Sequence, residues 1–253
     1  MTITDAASVV DMQDVAPGVV QVTMQDRVSK NSFSVALARG LRAAFASIDA
    51  NPTYKVVILT GYDTYFASGG TQDGLLAIAE GRAKCTDMNV HSLAVDCRIP
   101  VIAAMQGHGI GAGFVFGLSA DFVVLGRESV YTANFMRYGF TPGIGATYLL
   151  PKKLGPVLGY EILMAARTYR GGELEKRGIG FPVVPRADVR EYADELAREI
   201  AEKPRASLIM LKDHLVAEIR EQLPAVIDQE LAMHDVSFRQ PEVKARIRAL
   251  FGR

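Results

Sequence analysis

Between Arg98 and Asp121 the chain carries no charged side chain for 22 residues, positions 99–120, a run long enough to span a bilayer as a helix. Its residues argue against that. Pro100, Gln106, His108 and glycines 107, 109, 111, 113 and 117 lie inside it, a pattern that fits a buried strand, a tight turn and a helix start. Such a segment has to be enclosed by other elements. The 253 residues, 49% hydrophobic and 22% charged, can supply one large core, and this composition sets the chain apart from disordered, collagen-like and coiled-coil sequences.

Strand and helix patterns alternate around that run. Residues 19–24 alternate as a half-buried strand, a polar turn follows over 26–34, and helical spacing continues to Ile48 before Asn51-Pro52 stops it. Val56-Val57-Ile58-Leu59-Thr60 is a continuous β-branched run of the kind buried on both faces. Spacing predicts a helix over 86–97, a strand over 101–105 and another over 122–125. Beyond Pro185 the chain becomes charge-rich and almost free of glycine, and two amphipathic helices are expected, over 186–220 and 224–250. The expected organisation is an α/β core over 1–185 with a C-terminal helical section over 186–253.

Charge and cysteine content narrow the function classes. With 28 basic and 28 acidic residues the formal net charge is zero, so neither a nucleic-acid nor a membrane partner is expected, and an acidic ligand has to be held locally. Cys85 and Cys97 have no metal-ligand spacing and read as free thiols of a reducing compartment. The opening Met1-Thr2-Ile3-Thr4-Asp5 has neither signal nor transit character. A cytoplasmic protein is expected.

Two glycine-rich turns, each following an apolar strand and leading into a helix, are the candidate chemical features: Phe66-Ala67-Ser68-Gly69-Gly70-Thr71 and Gln106-Gly107-His108-Gly109-Ile110-Gly111-Ala112-Gly113. Glycine lets a ligand approach the backbone, and a helix start leaves N–H groups unpaired beside a positive partial charge. An oxyanion fits such a place; the alternative is that the glycines serve the turns alone. Gly107-x-Gly109-x-x-Ala112 also matches a dinucleotide fingerprint with alanine in third place, which keeps a nicotinamide- or flavin-dependent oxidoreductase open as a rival.

The same turns, with Ala120-Asp121, the Gly139-Phe140-Thr141-Pro142-Gly143 turn and the segment 173–184, resemble the crotonase (enoyl-CoA hydratase/isomerase) superfamily. The resemblance runs from about Val20 to the C-terminus and implies a ββα spiral core, with thioester-polarising N–H groups at Gly70 and Ala112. Two donors aimed at one carbonyl oxygen would stabilise a thioester enolate. Hydratases of that family carry two glutamates for water addition, and the matching positions here are Val115 and Phe135. Neither moves a proton.

Longer motifs resemble the decarboxylases of polyketide β-branching: residues 65–76, 105–111, 131–136 and 211–215. That resemblance implies decarboxylation of a 3-methylglutaconyl thioester, carried by an acyl carrier protein, to a 3-methylcrotonyl-type thioester. It gives catalytic roles to Lys84 and His234, requires no metal or redox cofactor, and implies a trimer or a dimer of trimers. From spacing alone, Lys84 reads as a solvated surface lysine and His234 as a hydrogen-bonded structural histidine, and the resemblance reverses both readings. Val115 and Phe135 would form an apolar wall for a substrate that brings its own carboxylate. Arg27 and Lys30, in the turn after the first strand, are contacts for phosphopantetheine or ordinary exposed turn charges. An isomerase or thioester hydrolase of the same fold, and a non-catalytic carrier-protein scaffold, stand as alternatives.

Overall fold

The computed structural model describes residues 9–251; the Met1–Asp5 stretch read for targeting signals lies outside them. A hairpin of β1 (Val10–Ala16) and β2 (Val19–Met24) leads into α1 (Val35–Ala50), capped by Ser34 accepting from the Leu37 amide. One course then repeats three times: a long strand, a short strand, a helix. The units are β3 (Val56–Thr60), β4 (Tyr65–Ala67) and α2 (Gln72–Ala79); then, after a single turn α3 (Leu93–Asp96), β5 (Val101–Met105), β6 (His108–Ile110) and α4 (Ala112–Leu118); then β7 (Phe122–Gly126), β8 (Val130–Thr132) and α5 (Phe135–Tyr138). The chain continues through α6 (Ala146–Leu154), α7 (Pro156–Ala165), β9 (Thr168–Arg170), α8 (Gly171–Lys176) and β10 (Val183–Val184), and ends in α9 (Val189–Ala201), α10 (Arg205–Ser237) and α11 (Pro241–Leu250).

The long strands form one sheet in the order β1-β2-β3-β5-β7-β10, parallel except for the β1–β2 hairpin, and the short strands a second in the order β4-β6-β8-β9. This is the expected ββα spiral. Every residue of β3 and β5 is buried, as unbroken apolar runs demand in a sheet covered on both faces. Among the described residues no helix is long and apolar enough to cross a membrane, and the 99–120 run supplies β5, β6 and α4 instead.

Two expectations are corrected. The helix read over 86–97 survives only as α3; before it the chain turns, with Asp87 Oδ2 accepting from the Lys84 amide at 2.8 Å and Asn89 in the left-handed region at φ 46°, a local bonding pattern that competes with the helix. The two C-terminal helices are three, divided at Pro204 and Pro241. Pro224 lies inside α10 rather than opening a helix; proline there removes one intrahelical bond, and the buried Ile219, Leu223 and Ile227 on either side hold the helix to the core. The C-terminal helical section packs on the core, where α9 closes the second face of the large sheet: Val189, Ala193, Ala197 and Ala201 pack on Val56, Ile58, Ile102, Ala104 and Val124.

The buried residues of α10 are Lys212, Val216, Ile219, Leu223, Ile227, Glu230 and His234, a stripe at three- and four-residue spacing. Its polar members need partners in the core. Lys212 Nζ has three, the carbonyls of Ala94 and Ile99 at 2.9 and 3.1 Å and Asp121 Oδ2 at 2.7 Å, which uses every donor the ammonium has. This anchor fixes where along the core the far end of α10 falls.

Candidate active site

Parallel pairing of β4 with β6, Tyr65 opposite His108 and Ala67 opposite Gly109, sets the equivalent ends of the two strands side by side. Each end runs into a glycine turn and then a helix. Gly69 (φ +76°) and Gly111 (φ +55°) adopt the left-handed geometry the turns require. A Cβ on Gly69 would stand 3.3 Å from the Ala112 nitrogen and 2.8 Å from the Ile110 carbonyl oxygen, so the two turns are in contact. The amides of Gly70 and Ala112 donate to no acceptor among the described residues, and Ala112 opens α4, where an unpaired N–H is the rule. Two free donors from adjoining turns are what an oxyanion site needs.

The first turn is held by a residue that pattern reading missed. Asn31 is wholly buried; its Nδ2 donates to the carbonyls of Met24 and Phe66 at 3.0 and 2.9 Å, its Oδ1 accepts from the Asp26 amide at 2.8 Å, and its carbonyl accepts from the Ser68 amide at 3.1 Å. The Phe33 amide donates to the Gly69 carbonyl at 2.7 Å. Arg27 and Lys30 extend from the same 26–33 segment into solvent. Arg27 is salt-bridged to Asp63 at 2.6 Å and lies 4.5 Å above the Tyr62 ring, while the Lys30 ammonium is 5.7 Å above the Tyr65 ring. Both cations thus lie at the surface beside the 62–65 stretch that leads into the first glycine turn, and Arg27 already has a carboxylate partner.

Val115 is buried in α4, and Phe135 is buried at the start of α5, with its Cε1 3.9 Å from where a Cβ on Gly111 would lie. From Phe135 a train of rings leads away from the second turn: Phe135 to Phe140 at 6.2 Å between centroids, Phe140 to His234 at 5.9 Å, and His234 to Phe238 at 4.8 Å. This aromatic train connects the oxyanion turns to the end of α10.

His234 is 5% exposed, and neither ring nitrogen makes a hydrogen bond among the described residues. Burial pushes its pKa down to about 4, against smaller upward pulls from the Thr141 backbone and Asp235; the imidazole is therefore neutral near pH 7 in the free protein, contrary to the ordinary titration near neutrality that a histidine leads one to expect. Its Nε2 would be 2.8 Å, and Cys85 Sγ 3.1 Å, from a Cβ on Gly143. Burial likewise raises the Cys85 thiol to about 11, with the Glu230 carboxylate adding to the effect. Lys84, the neighbour of that inward-facing cysteine, is exposed, and its ammonium pairs with no carboxylate among the described residues. Lys84 thus adjoins, through Cys85, the Gly143 turn against which His234 packs, and its own side chain contacts neither.

The other histidines are placed elsewhere. His108 Nδ1 accepts from the Val130 amide at 3.0 Å and so serves the small sheet; His91 is half-buried beside Ser92 and Asp96, and His214 is exposed on α10. Among the described residues no three His, Cys, Asp or Glu side chains are grouped as metal ligands.

The family model for enoyl-CoA hydratase/isomerase matches residues 14–251. The chain is 63% identical over 245 residues to the bacillaene synthase decarboxylase PksI of Bacillus subtilis (strain 168), covering 97% of this chain and 98% of that protein. The structure superposes with TM-score 0.93 on the ECH2 decarboxylase domain of CurF from Lyngbya majuscula, at 48% identity over 96% of this chain and all of that one. A solved chain from a dehydratase/decarboxylase enzyme couple of polyketide β-branching gives TM-score 0.96 at 63% identity, over 97% of this chain and all of that one. With the family match and these decarboxylases aligned along nearly their whole length, the chain belongs to the enoyl-CoA hydratase/isomerase (crotonase) superfamily, as a decarboxylase of the polyketide β-branching kind.

Proposed function

We propose that the protein decarboxylates a 3-methylglutaconyl thioester borne on the phosphopantetheine of an acyl carrier protein. The thioester oxygen lies between the Gly70 and Ala112 amides. Lys84 orients the distal carboxylate by a charge-assisted hydrogen bond; too firm a grip would oppose loss of carbon dioxide, so its role is positioning. The bond between the carboxylate carbon and its neighbour breaks, carbon dioxide leaves, and the electron pair flows through the conjugated alkene onto the thioester oxygen. The resulting dienolate is held by the two amides, and a proton returns to carbon to give the 3-methylcrotonyl-type thioester. No oxidant, metal or redox cofactor enters that balance.

His234 is the proton donor in this scheme, although it is neutral in the free protein. A carboxylate and then a dienolate arriving in a water-poor pocket raise the proton affinity of a nearby imidazole, so the ring becomes a competent acid only in the complex. Arg27 and Lys30 contact the phosphopantetheine arm as it reaches the first turn. Exposed apolar side chains, Val157, Tyr160 and Met164 on α7 and Leu211 and Leu215 on α10, favour a trimer or a dimer of trimers.

The observation that carries the reading is the pair of unpartnered amides faced by the apolar ring of Phe135, where a family hydratase places a carboxylate. Mass spectrometry of carrier-protein-bound 3-methylglutaconate after incubation with the protein tests it, the expected result being loss of one carbon dioxide. Hydration of crotonyl-coenzyme A at an ordinary hydratase rate would refute it, because Val115 and Phe135 offer no group to move the protons. An isomerised or hydrolysed thioester with its carboxylate retained would favour the isomerase or hydrolase of the same fold.

A further inference from the structure

The turn that packs on the His234 ring is itself strained. Ile144 and Gly145 follow one another in the left-handed region, at φ 59° and 85°, and a β-branched residue is rarely found there. Such a conformation persists only where its surroundings over-determine it. Here the surroundings are two residues of α10. Glu230 is 1% exposed, and both of its oxygens are engaged: Oε2 accepts from the Gly145 amide at 2.6 Å, and Oε1 from the Thr147 amide and hydroxyl at 2.7 and 2.6 Å. At the other end of the turn, Ser237 Oγ accepts from the Thr141 amide at 3.1 Å.

Residues 230, 234 and 237 lie at helical spacing on one face of α10. The imidazole is thus bracketed by the two ties that fasten 141–147 to its own helix, and Gly143, midway between them, lies against Nε2 with no room for even a methyl group. Ring and turn have to move together.

We propose that Glu230 is a positioning residue: by clamping the 143–147 turn it fixes the His234 imidazole and keeps water from it. The inference rests on the reading of His234 as proton donor. A glutamine at 230 has the same shape, but it replaces an acceptor oxygen by an amide that meets the N–H of Gly145 or Thr147, so the clamp loses a bond and gains a repulsion. The turn should then loosen and admit water beside the ring. The titratable groups around that ring are Asp235 and Glu230 on its own helix and the Cys85 thiol from the 84–89 turn, which burial keeps neutral. Removing a nearby negative charge alone would lower the histidine pKa, whereas hydrating the ring raises it, so the two effects have opposite signs.

The test measures the His234 ring resonance of Glu230→Gln and Thr147→Val as a function of pH, together with single-turnover decarboxylation in deuterated water, with circular dichroism to confirm folding. The titration midpoint is expected to rise by about one pH unit in Glu230→Gln and less in Thr147→Val, while proton return slows by roughly 10-fold or more. An unchanged or lowered midpoint with wild-type deuterium incorporation in a folded variant would overturn the proposal. If Glu230→Gln does not fold, Thr147→Val decides by the same two measurements. If the wild-type protein does not decarboxylate, the functional reading fails, yet the midpoint still reports whether Glu230 positions the ring; if the wild-type protein turns over and His234→Ala does so equally, the donor assignment fails alone.

Discussion

Protonating His234 in the folded protein should cost stability, because its imidazole is buried, its ring nitrogens make no hydrogen bond among the described residues, and burial pushes its pKa down to about 4. An unfolded chain leaves a histidine near 6.5. Below that value the unfolded state binds a proton that the native state refuses, so stability is complete above about pH 6.5 and declines as the pH falls toward 4. With those two pKa values the single group lowers the unfolding free energy by about 2 kcal/mol between pH 7 and pH 5, approaching about 3 kcal/mol at still lower pH. Other groups titrate over the same interval, so the informative quantity is a difference. Urea denaturation of the wild type and of His234→Gln, at pH 7 and pH 5 and one fixed protein concentration, isolates it. Glutamine also forfeits ring contacts with Phe140 and Phe238, which makes the variant less stable at pH 7 by an amount that does not depend on pH. The stability gap between wild type and variant should therefore shrink, or reverse, by about 2 kcal/mol on going to pH 5. A gap that stays constant to within about 0.5 kcal/mol would show that the ring titrates normally in the folded state, and the argument that His234 is protonated only in the complex would fall with it.

Two further outcomes are expected. In single-turnover decarboxylation in deuterated water, Lys84→Ala should impair binding and carbon dioxide release together by roughly 10²-fold or more, whereas His234→Ala should act chiefly on proton return; wild-type turnover and deuterium placement in both variants would make the two residues structural. Sedimentation equilibrium should give three or six times the single-chain mass of 27.4 kDa; a monodisperse monomer at micromolar concentration would leave the apolar residues of α7 and α10 unexplained.

The parts legible in the sequence are those in which one residue type answers one physical demand. The run 56–60 is apolar at every position because β3 is covered on both faces, and residues 101–105 behave alike. The two glycine turns are legible for a similar reason, since glycines between a buried strand and a helix start answer the demand for a tight turn and a close backbone approach. What pattern alone could not supply is pairing. Nothing in either turn says that β4 and β6 lie side by side, and it is that parallel register which sets Gly70 and Ala112 in adjoining turns. Asn31 and Glu230 were missed because both read as ordinary polar residues, one in a turn and the other on a charge-rich helix, until the backbone groups they satisfy are known. Glu230 did leave a trace. It falls on the stripe of residues 212, 216, 219, 223, 227, 230 and 234, and a glutamate aligned with isoleucines and a leucine on the buried face of a helix has to find donors or be neutralised. Lys212, on the same stripe, has an ion-pair partner more than ninety positions earlier, at Asp121, which no local pattern reveals. Lys84 left no such trace: its surroundings are polar and exposed in sequence and structure alike, so the role proposed for it rests on the family resemblance. The polar residues on the buried stripe of α10 are thus open to derivation from periodicity and the cost of burying charge, whereas an exposed side chain such as Lys84 meets no such constraint and leaves no pattern to read.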